Sequence, residues 1–342
     1  MKVRSVFLSL VSIAAGIVLI VALVRVAKVD PHAILQQLEY AKPVRFIGLA
    51  LLMAFNIFLS GQKWQLMDRV LRRESDAALS RSAYFAFTSV GVALGQVVPT
   101  QVSMAVARVL GTQFRGRALT RGTVATLFDQ GTDFLVVCFV IPASLISRVS
   151  LRGPWVWYGL ATAMAVTALV TVSSTVSLIE RLATRFSAHG KNPANRWRRG
   201  CLELIQSGLL QPSLFRNLFA ISLLRFAVLV LMAGETSRAI GSTIPLWQLA
   251  ASMPFVVLSN ALAITPGGIG LNEFTFTTAL RMFGTPLTAA AEWSLANRAL
   301  TAASAFAIAA CTAVVILLRS LIRRGNSFSS SKLASYRAED HA

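Results

Sequence analysis

The sequence predicts an all-α polytopic membrane protein: six full spans plus two oppositely oriented re-entrant helical hairpins, in an inverted-repeat architecture. Three observations carry this prediction. Of the 342 residues, 55% are hydrophobic and 14% charged, against about 25% charged in an average soluble protein. Several near-uniform apolar runs approach the roughly 20 residues that cross a bilayer, without the alternation of a transmembrane barrel strand. Two apolar stretches are interrupted by proline, at Pro99 and Pro266. In hydrocarbon such breaks survive only inside protein or beside a wet cavity.

The first span covers about 6–26, behind Lys2 and Arg4. It is too long for a typical signal segment, and Arg25 and Lys28 follow it instead of a cleavage site, so it reads as uncleaved. A short external loop carries Asp30-Pro31 and Pro43. Span two, about 44–62, ends at Gln62-Lys63-Trp64, which reads as an interfacial aromatic beside a snorkelling lysine. The loop 63–82 holds Lys63, Arg69, Arg72, Arg73 and Arg81 and reads as cytoplasmic.

The stretch 83–98 closes on Gly95-Gln96-Val97-Val98-Pro99-Thr100, and an amphipathic segment runs on to about 113. Arg115, Arg117 and Arg121 then mark a second basic face, so both ends of 83–113 read as cytoplasmic. The simplest geometry is a hairpin broken at Pro99. Spans at 122–147 and 155–179 follow, separated by Gly153-Pro154. The loop 180–213 is the most basic, with Arg181, Arg185, Lys191, Arg196, Arg198 and Arg199. Its Trp197 and apolar residues 201–210 suggest a short helix lying on the membrane surface.

A span at 214–233 leads to an external turn near Gly241 and Pro245. The second hairpin joins 246–264 to 271–283 through Ile264-Thr-Pro-Gly-Gly-Ile-Gly-Leu-Asn-Glu273. Pro266 removes a backbone donor there, and Gly267, Gly268 and Gly270 permit a tight turn. The last span is 293–318. Arg319, Arg323, Arg324 and a Ser-rich stretch make 319–342 a basic cytoplasmic tail, expected to be disordered. Residues 1–318 thus form one transmembrane domain, with repeat halves at about 44–147 and 214–318 and both termini inside. If the hairpin limbs are full spans, the count becomes ten and the termini stay inside.

Ionisable groups at membrane depth are costly and mark candidate sites. Asp129 and Asp133, at i, i+4, share a helix face. Arg225 is mid-span, Glu273 follows the second break, Arg298 sits with Asn297 early in the last span after Glu292, and Arg108 lies on the return limb of the first hairpin. These residues predict a polar core along which a headgroup passes. The alternative is a set of buried ion pairs that lock helices together, for example Asp133 with Arg225. Asn56, Gln96, Asn260 and Asn272 add hydrogen-bonding capacity, Gln96 and Asn260 either as partners at the hairpin tips or as glue between helices. Arg25, Lys63 and Arg319 read as snorkelling anchors.

The net charge of +19 fits basic loops facing anionic headgroups, and no nucleic-acid-binding motif is present. Cys138, Cys201 and Cys311 have no metal-site or disulfide spacing, and His32, His189 and His341 are scattered, so neither metal nor cofactor is expected. No G-x-x-x-x-G-K-[ST] string occurs.

The Pro266, Gly267, Gly268, Gly270 and Glu273 string, with Ile269 in a leucine place, resembles the signature of the lysylphosphatidylglycerol synthetase transmembrane region, the flippase-like membrane family. Lys63-Trp64 resembles that family's tryptophan-containing helix end. The Pro99 region resembles its first hairpin, with Thr100, Gln101 and Ser103 where glycines and a basic residue are usual, and Arg108 near the usual arginine. Asp129-Gln130…Asp133 is similar to its glutamate-arginine…aspartate element, with Gln130 replacing the arginine. The resemblance implies a bacterial cytoplasmic (inner) membrane protein. Too few residues follow 318 for an aminoacyl transferase domain, which implies a free-standing member.

The expected function is translocation of a polar-headed lipid, whether phospholipid, hopanoid or polyprenyl-linked. Helix N-termini after Pro99 and Pro266 would hold an anionic headgroup. Energy would come from a gradient, a partner or downhill lipid flow, with Asp129, Asp133 or Glu273 as candidate proton carriers. Two alternatives stand beside it. One is a membrane-embedded transferase on a lipid carrier, with a metal and pyrophosphate on Asp129 and Asp133. The other is a scaffold that docks lipid-synthesis partner proteins on the loop 180–213.

Overall fold

Proline punctuates the chain. Pro31, Pro43, Pro154 and Pro212 each open a helix, and Pro99, Pro245 and Pro286 each stand one residue before one. At a first-turn position the missing N–H has no helical partner to lose, so the ring starts a helix at little cost. A computed structural model describes residues 2–71, 79–113, 119–149, 154–187, 211–262 and 265–339. These residues form eleven helices and one 3-10 turn. They are α1 (Lys2–Val26), α2 (Pro31–Glu39), α3 (Pro43–Leu71), α4 (Arg81–Leu94), α5 (Thr100–Gln113), α6 (Leu119–Val149), α7 (Pro154–Ser187), α8 (Pro212–Ala239), α9 (Leu246–Leu262), the turn Pro266–Gly268, α10 (Leu271–Met282) and α11 (Leu287–Glu339).

Four helices among the described residues are long and apolar enough to cross a membrane: Pro43–Leu71, Ala125–Ile146 within α6, Pro212–Ala239, and Leu287–Arg319 within α11. The predicted first span and the span 155–179 fall in α1 and α7, whose described apolar stretches, Ala14–Val26 and Gly159–Thr171, are shorter.

Boundaries differ from expectation in three places. The loop at 27–43 contains α2, started by Pro31 and capped by Asp30, whose carboxylate accepts the His32 N–H at 2.9 Å. Span two does not end at residue 62: α3 continues to Leu71, because no glycine or proline stops it and its polar residues find partners inside. The last helix runs on through the Ser-rich segment to Glu339, with no proline after Pro286 to end it. The predicted surface helix at 201–210, Trp197 and most of the basic loop lie outside the described residues.

The helix α8 is the hub. Its apolar residues join four clusters: Val228 and Met232 with Leu49 and Ile57 of α3, Ala233 with Leu249 and Leu280, Leu214 and Leu218 with Trp64, and Phe219 with Val136 and Ala168. Around it, α4 packs on α5, α9 on α10, and α11 against α3, α4 and α10. The periphery is apolar. Val44, Leu51, Phe58, Val170 and Val314–Leu318 all face outward, an arrangement that suits hydrocarbon rather than water.

Candidate functional site

The two chain breaks are built differently. At the first, Gly95 keeps a helical φ of −63° and caps α4, its N–H donating to the Gly91 carbonyl at 2.9 Å. The Pro99 carbonyl then accepts from the Val102 and Ser103 N–H groups at 2.9 and 3.0 Å, which launches α5. At the second, Gly267, Gly268 and Gly270 all have positive φ, between 60° and 80°. L-residues avoid that region because Cβ crowds the following carbonyl. Glu273 folds back so that its Oε2 accepts the Gly270 N–H at 2.6 Å, the glutamate half of a capping box at the start of α10. Asn272 donates to the Asn260 side-chain oxygen at 2.7 Å and accepts from Ser259 at 2.9 Å, tying α10 to the end of α9.

These breaks touch. A Cβ on Gly267 would collide with the Gln96 carbonyl. Arg298 Nη2 donates to that same carbonyl at 2.7 Å, and Gln101 donates to the Asn260 backbone oxygen across the junction. Helix α1 closes over the second break, where a Cβ on Gly16 would come within 2.9 Å of the Ile269 carbonyl.

Beside the junction lies a charged network drawn from α3, α5, α6 and α8. Lys63 Nζ is 2.5 Å from Asp129 Oδ1 and 2.8 Å from Asp133 Oδ1, and it donates to Ser222 Oγ at 2.8 Å. Arg108 pairs with Asp129 Oδ2 and lies over the Trp64 ring, 5.9 Å from its centroid. Arg225 Nη1 is 2.6 Å from Asp133 Oδ2, and its Nε donates to Asn56 Oδ1 at 3.0 Å. Among the described residues, three cations face two carboxylates, leaving one positive charge in excess. The side chains of Lys63 and Arg108 are 0% exposed, whereas those of Arg225 and Asp133 are 18% and 27% exposed. The network therefore meets free space through the Arg225–Asp133 pair.

That space is a cavity of about 320 Å³. Asp129, Asp133 and Arg225 line one part of its wall; Glu273, Arg298 and Gly267 line another. Glu273, itself buried, is 3.6 Å from Arg298 Nε. Amides from Asn56, Gln96, Gln101, Gln130, Asn260, Asn272 and Asn297 supply donors and acceptors, and Met53, Val92, Leu229 and Phe276 supply apolar wall.

Most of the predicted site residues are brought together here. The exceptions teach the geometry. Arg108 stands behind the cavity wall and holds Asp129 rather than lining the space. Pro99 shapes the first break without lining the cavity; Gly95, Gln96 and Thr100 line it instead. Pro266, Gly268 and Gly270 shape the second break through their backbone without lining the cavity. The Gly270 N–H at the second break is taken by Glu273, so it is not held open for an anion as expected.

Lys63 is the residue misread: it is not a snorkelling anchor but a buried partner of both aspartates. Trp64 is likewise fully buried, edge-on to Tyr84 at 4.9 Å, not interfacial. Asn56, Ser60 and Lys63 fall at i, i+4, i+7 on α3, and all three meet the network. That polar stripe was the available signal.

Comparison with known proteins agrees with this picture at the level of the family. No curated protein and no solved structure matches the chain. The family model for the Lysylphosphatidylglycerol synthase TM region matches residues 8–311, which takes in the network, both breaks and the cavity between them. The chain is a multi-pass membrane protein and belongs to the Lysylphosphatidylglycerol synthase TM region family.

Proposed function

We propose that the protein translocates a polar-headed lipid, its headgroup passing through the central cavity while the acyl chains stay in the surrounding hydrocarbon. One observation carries the reading. A single cavity inside an apolar-belted bundle holds both chain breaks and both groups of charged side chains. Ionisable groups gathered at a wet interruption between helices are the hallmark of a path for polar cargo. The lipid is a phospholipid, a hopanoid or a polyprenyl-linked lipid, and Arg225 and Arg298, the cations of the cavity wall, are placed to meet its phosphate.

The element order supports an inverted repeat. Helix α3, the broken pair α4–α5 and α6 correspond to α8, the broken pair α9–α10 and α11, over halves 44–147 and 214–318. In this reading the two broken pairs are re-entrant hairpins from opposite faces that meet at their tips. Each opens the cavity to one side, in a bacterial inner membrane with both termini cytoplasmic. The chain then acts as a carrier rather than an enzyme. The partners of Asp129 and Asp133 support that view: Lys63, Arg108 and Arg225 already occupy their carboxylates, which disfavours a catalytic metal there.

Reconstitution in vesicles with a headgroup-reducible fluorescent lipid tests the proposal. Arg225→Ala removes one of the two cavity-facing cations yet leaves two cations for two carboxylates in the network, so the bundle stays assembled. Flipping should slow about tenfold, the equivalent of one lost charged hydrogen bond. A wild-type rate in a folded variant, or no flipping by the wild-type protein, overturns the proposal.

A further inference from the structure

Among the described residues, every carboxylate oxygen in the wall of the central cavity already faces a cation or an N–H. Asp129 turns one oxygen to Lys63 and the other to Arg108, and Asp133 turns one to Lys63 and the other to Arg225. Glu273 accepts the Gly270 N–H with Oε2 and turns Oε1 to Arg298. The two wall arginines still have donors to give. Arg225 uses Nε on Asn56 and Nη1 on Asp133, whereas Arg298 uses Nη2 on the Gln96 carbonyl and turns Nε to Glu273. Arg225 Nη2 and Arg298 Nη1 have no partner among the described residues, and neither atom is enclosed. With Lys63 and Arg108 behind the wall, four cations meet three carboxylates. The cavity can therefore receive an oxyanion, but it has no carboxylate free for an ammonium.

The same wall has a neutral component. Two of its amides, Gln130 on α6 and Asn297 on α11, are half-buried and make no side-chain hydrogen bond among the described residues. Their amide atoms are not enclosed either. Gln130 adjoins Asp129 and Asn297 adjoins Arg298, so each stands one residue from a charged member of the wall. A primary amide offers a donor and an acceptor together. An ionised phosphate ester presents only acceptors, and an ammonium only donors, so either would leave half of each amide unmet. A hydroxyl uses both halves. Cargo that displaces water from these amides must replace both functions.

We infer that the headgroup received by this cavity is a phosphate carrying hydroxyls, a phosphopolyol or phosphosugar, and carries no free amine. Its phosphate meets the open guanidinium donors of Arg225 and Arg298, and its hydroxyls meet Gln130 and Asn297. Phe134 and Phe276, in the same wall, give apolar faces for its C–H groups. The inference rests on the translocation reading and narrows it to phosphate-linked, hydroxylated headgroups.

The test measures binding apart from transport. The full chain is extracted from nanodiscs holding equal parts of phosphatidylinositol, phosphatidylmethanol and phosphatidylethanolamine, and the retained lipids are counted by native mass spectrometry. Phosphatidylmethanol has the charge without the hydroxyls; phosphatidylethanolamine has the amine. Phosphatidylinositol should be retained about fivefold over phosphatidylmethanol, and phosphatidylmethanol about tenfold over phosphatidylethanolamine, the worth of a neutral and of a charged hydrogen bond. Gln130→Met combined with Asn297→Leu keeps side-chain volume and breaks no internal side-chain bond. It should erase the first preference and keep the second. Equal retention of phosphatidylethanolamine by the wild-type protein, or a hydroxyl preference unchanged in the double variant, overturns the inference. Calorimetry with free myo-inositol 1-phosphate and phosphoethanolamine is the second arm: selectivity there without selectivity among the lipids would mean a soluble ligand and also overturn it. Flipping of a fluorescent lipid without this selectivity leaves translocation standing and sinks the headgroup assignment. Selective retention with no flipping sinks translocation and supports the assignment of the site.

Discussion

The two chain breaks meet at one junction, yet their shapes are fixed by different means. The second is set by its own backbone. Three glycines with positive φ turn the chain, and Glu273, from the next turn, caps the result. The first needs no unusual dihedral, since Gly95 is helical and Pro99 only removes a donor. Beside it, the return limb α5 is anchored at a distance, through Arg108 and Asp129. A turn written in local backbone is rigid and cheap to specify. A limb held by a buried ion network depends on several helices being in place, and can change when that network gains or loses an ion. In the alternating opening proposed above, the glycine-built tip is then the stiffer abutment and the ion-held limb the more easily displaced.

The largest effect on this contrast comes from Asp129. It faces Lys63 and Arg108, both fully buried, with Arg225 nearby at 3.5 Å. Asp129→Ala leaves Asp133 alone against three cations, and breaking a buried pair costs about 3–5 kcal/mol. We expect a large drop in thermal stability in detergent, with Asp129→Asn recovering only part of it. A variant within about 0.5 kcal/mol of wild type, the range of ordinary surface changes, would mean that the network does not hold the first limb.

A smaller effect separates the two tips directly. Gly267→Ala forces an alanine to φ 60° and drives its Cβ into the Gln96 carbonyl. The dihedral alone costs about 1–2 kcal/mol. Gly95→Ala keeps φ at −63°, and the Cβ would meet Ser103 Oγ at 3.0 Å, a side chain able to rotate away. Stability should fall clearly for the first variant and little for the second. Equal losses would erase the proposed difference between the tips.

How much of this was legible in sequence follows the same line. The second break is a local string, so Pro266 to Glu273 located it, and the i, i+4 spacing of Asp129 and Asp133 put them on one face. Lys63 was misplaced because hydropathy falls at residue 62, and a lysine beside a tryptophan looks like a membrane-surface anchor. Only the i, i+4, i+7 register with Asn56 and Ser60 argues otherwise. Arg108 was visible as an ionisable residue, but its position behind Asp129 depends on how α5 packs on α6. The contact of Arg298 with the Gln96 carbonyl joins residues far apart in the chain through a backbone atom, which leaves no trace in side-chain pattern.

The finest cut concerns Glu273, which sequence reading places on the headgroup path and whose carboxylate, in the cavity wall, accepts the Gly270 N–H. These roles separate with one substitution. Glutamine can close a capping box as glutamate does, so Glu273→Gln keeps the geometry of the turn and removes only the charge. Arg298 would lose a counter-ion 3.6 Å away, but it remains bonded to the Gln96 carbonyl, and its side chain is 23% exposed to the cavity. Because the pair is long and Arg298 keeps a second partner, the expected loss of stability is about 1.5 kcal/mol, with flipping retained. Glu273→Ala, which also removes the cap, should cost about 1 kcal/mol more. If Glu273→Gln instead abolished flipping while keeping its fold, the carboxylate charge itself would be part of transport, and the second tip would be more than a stiff abutment.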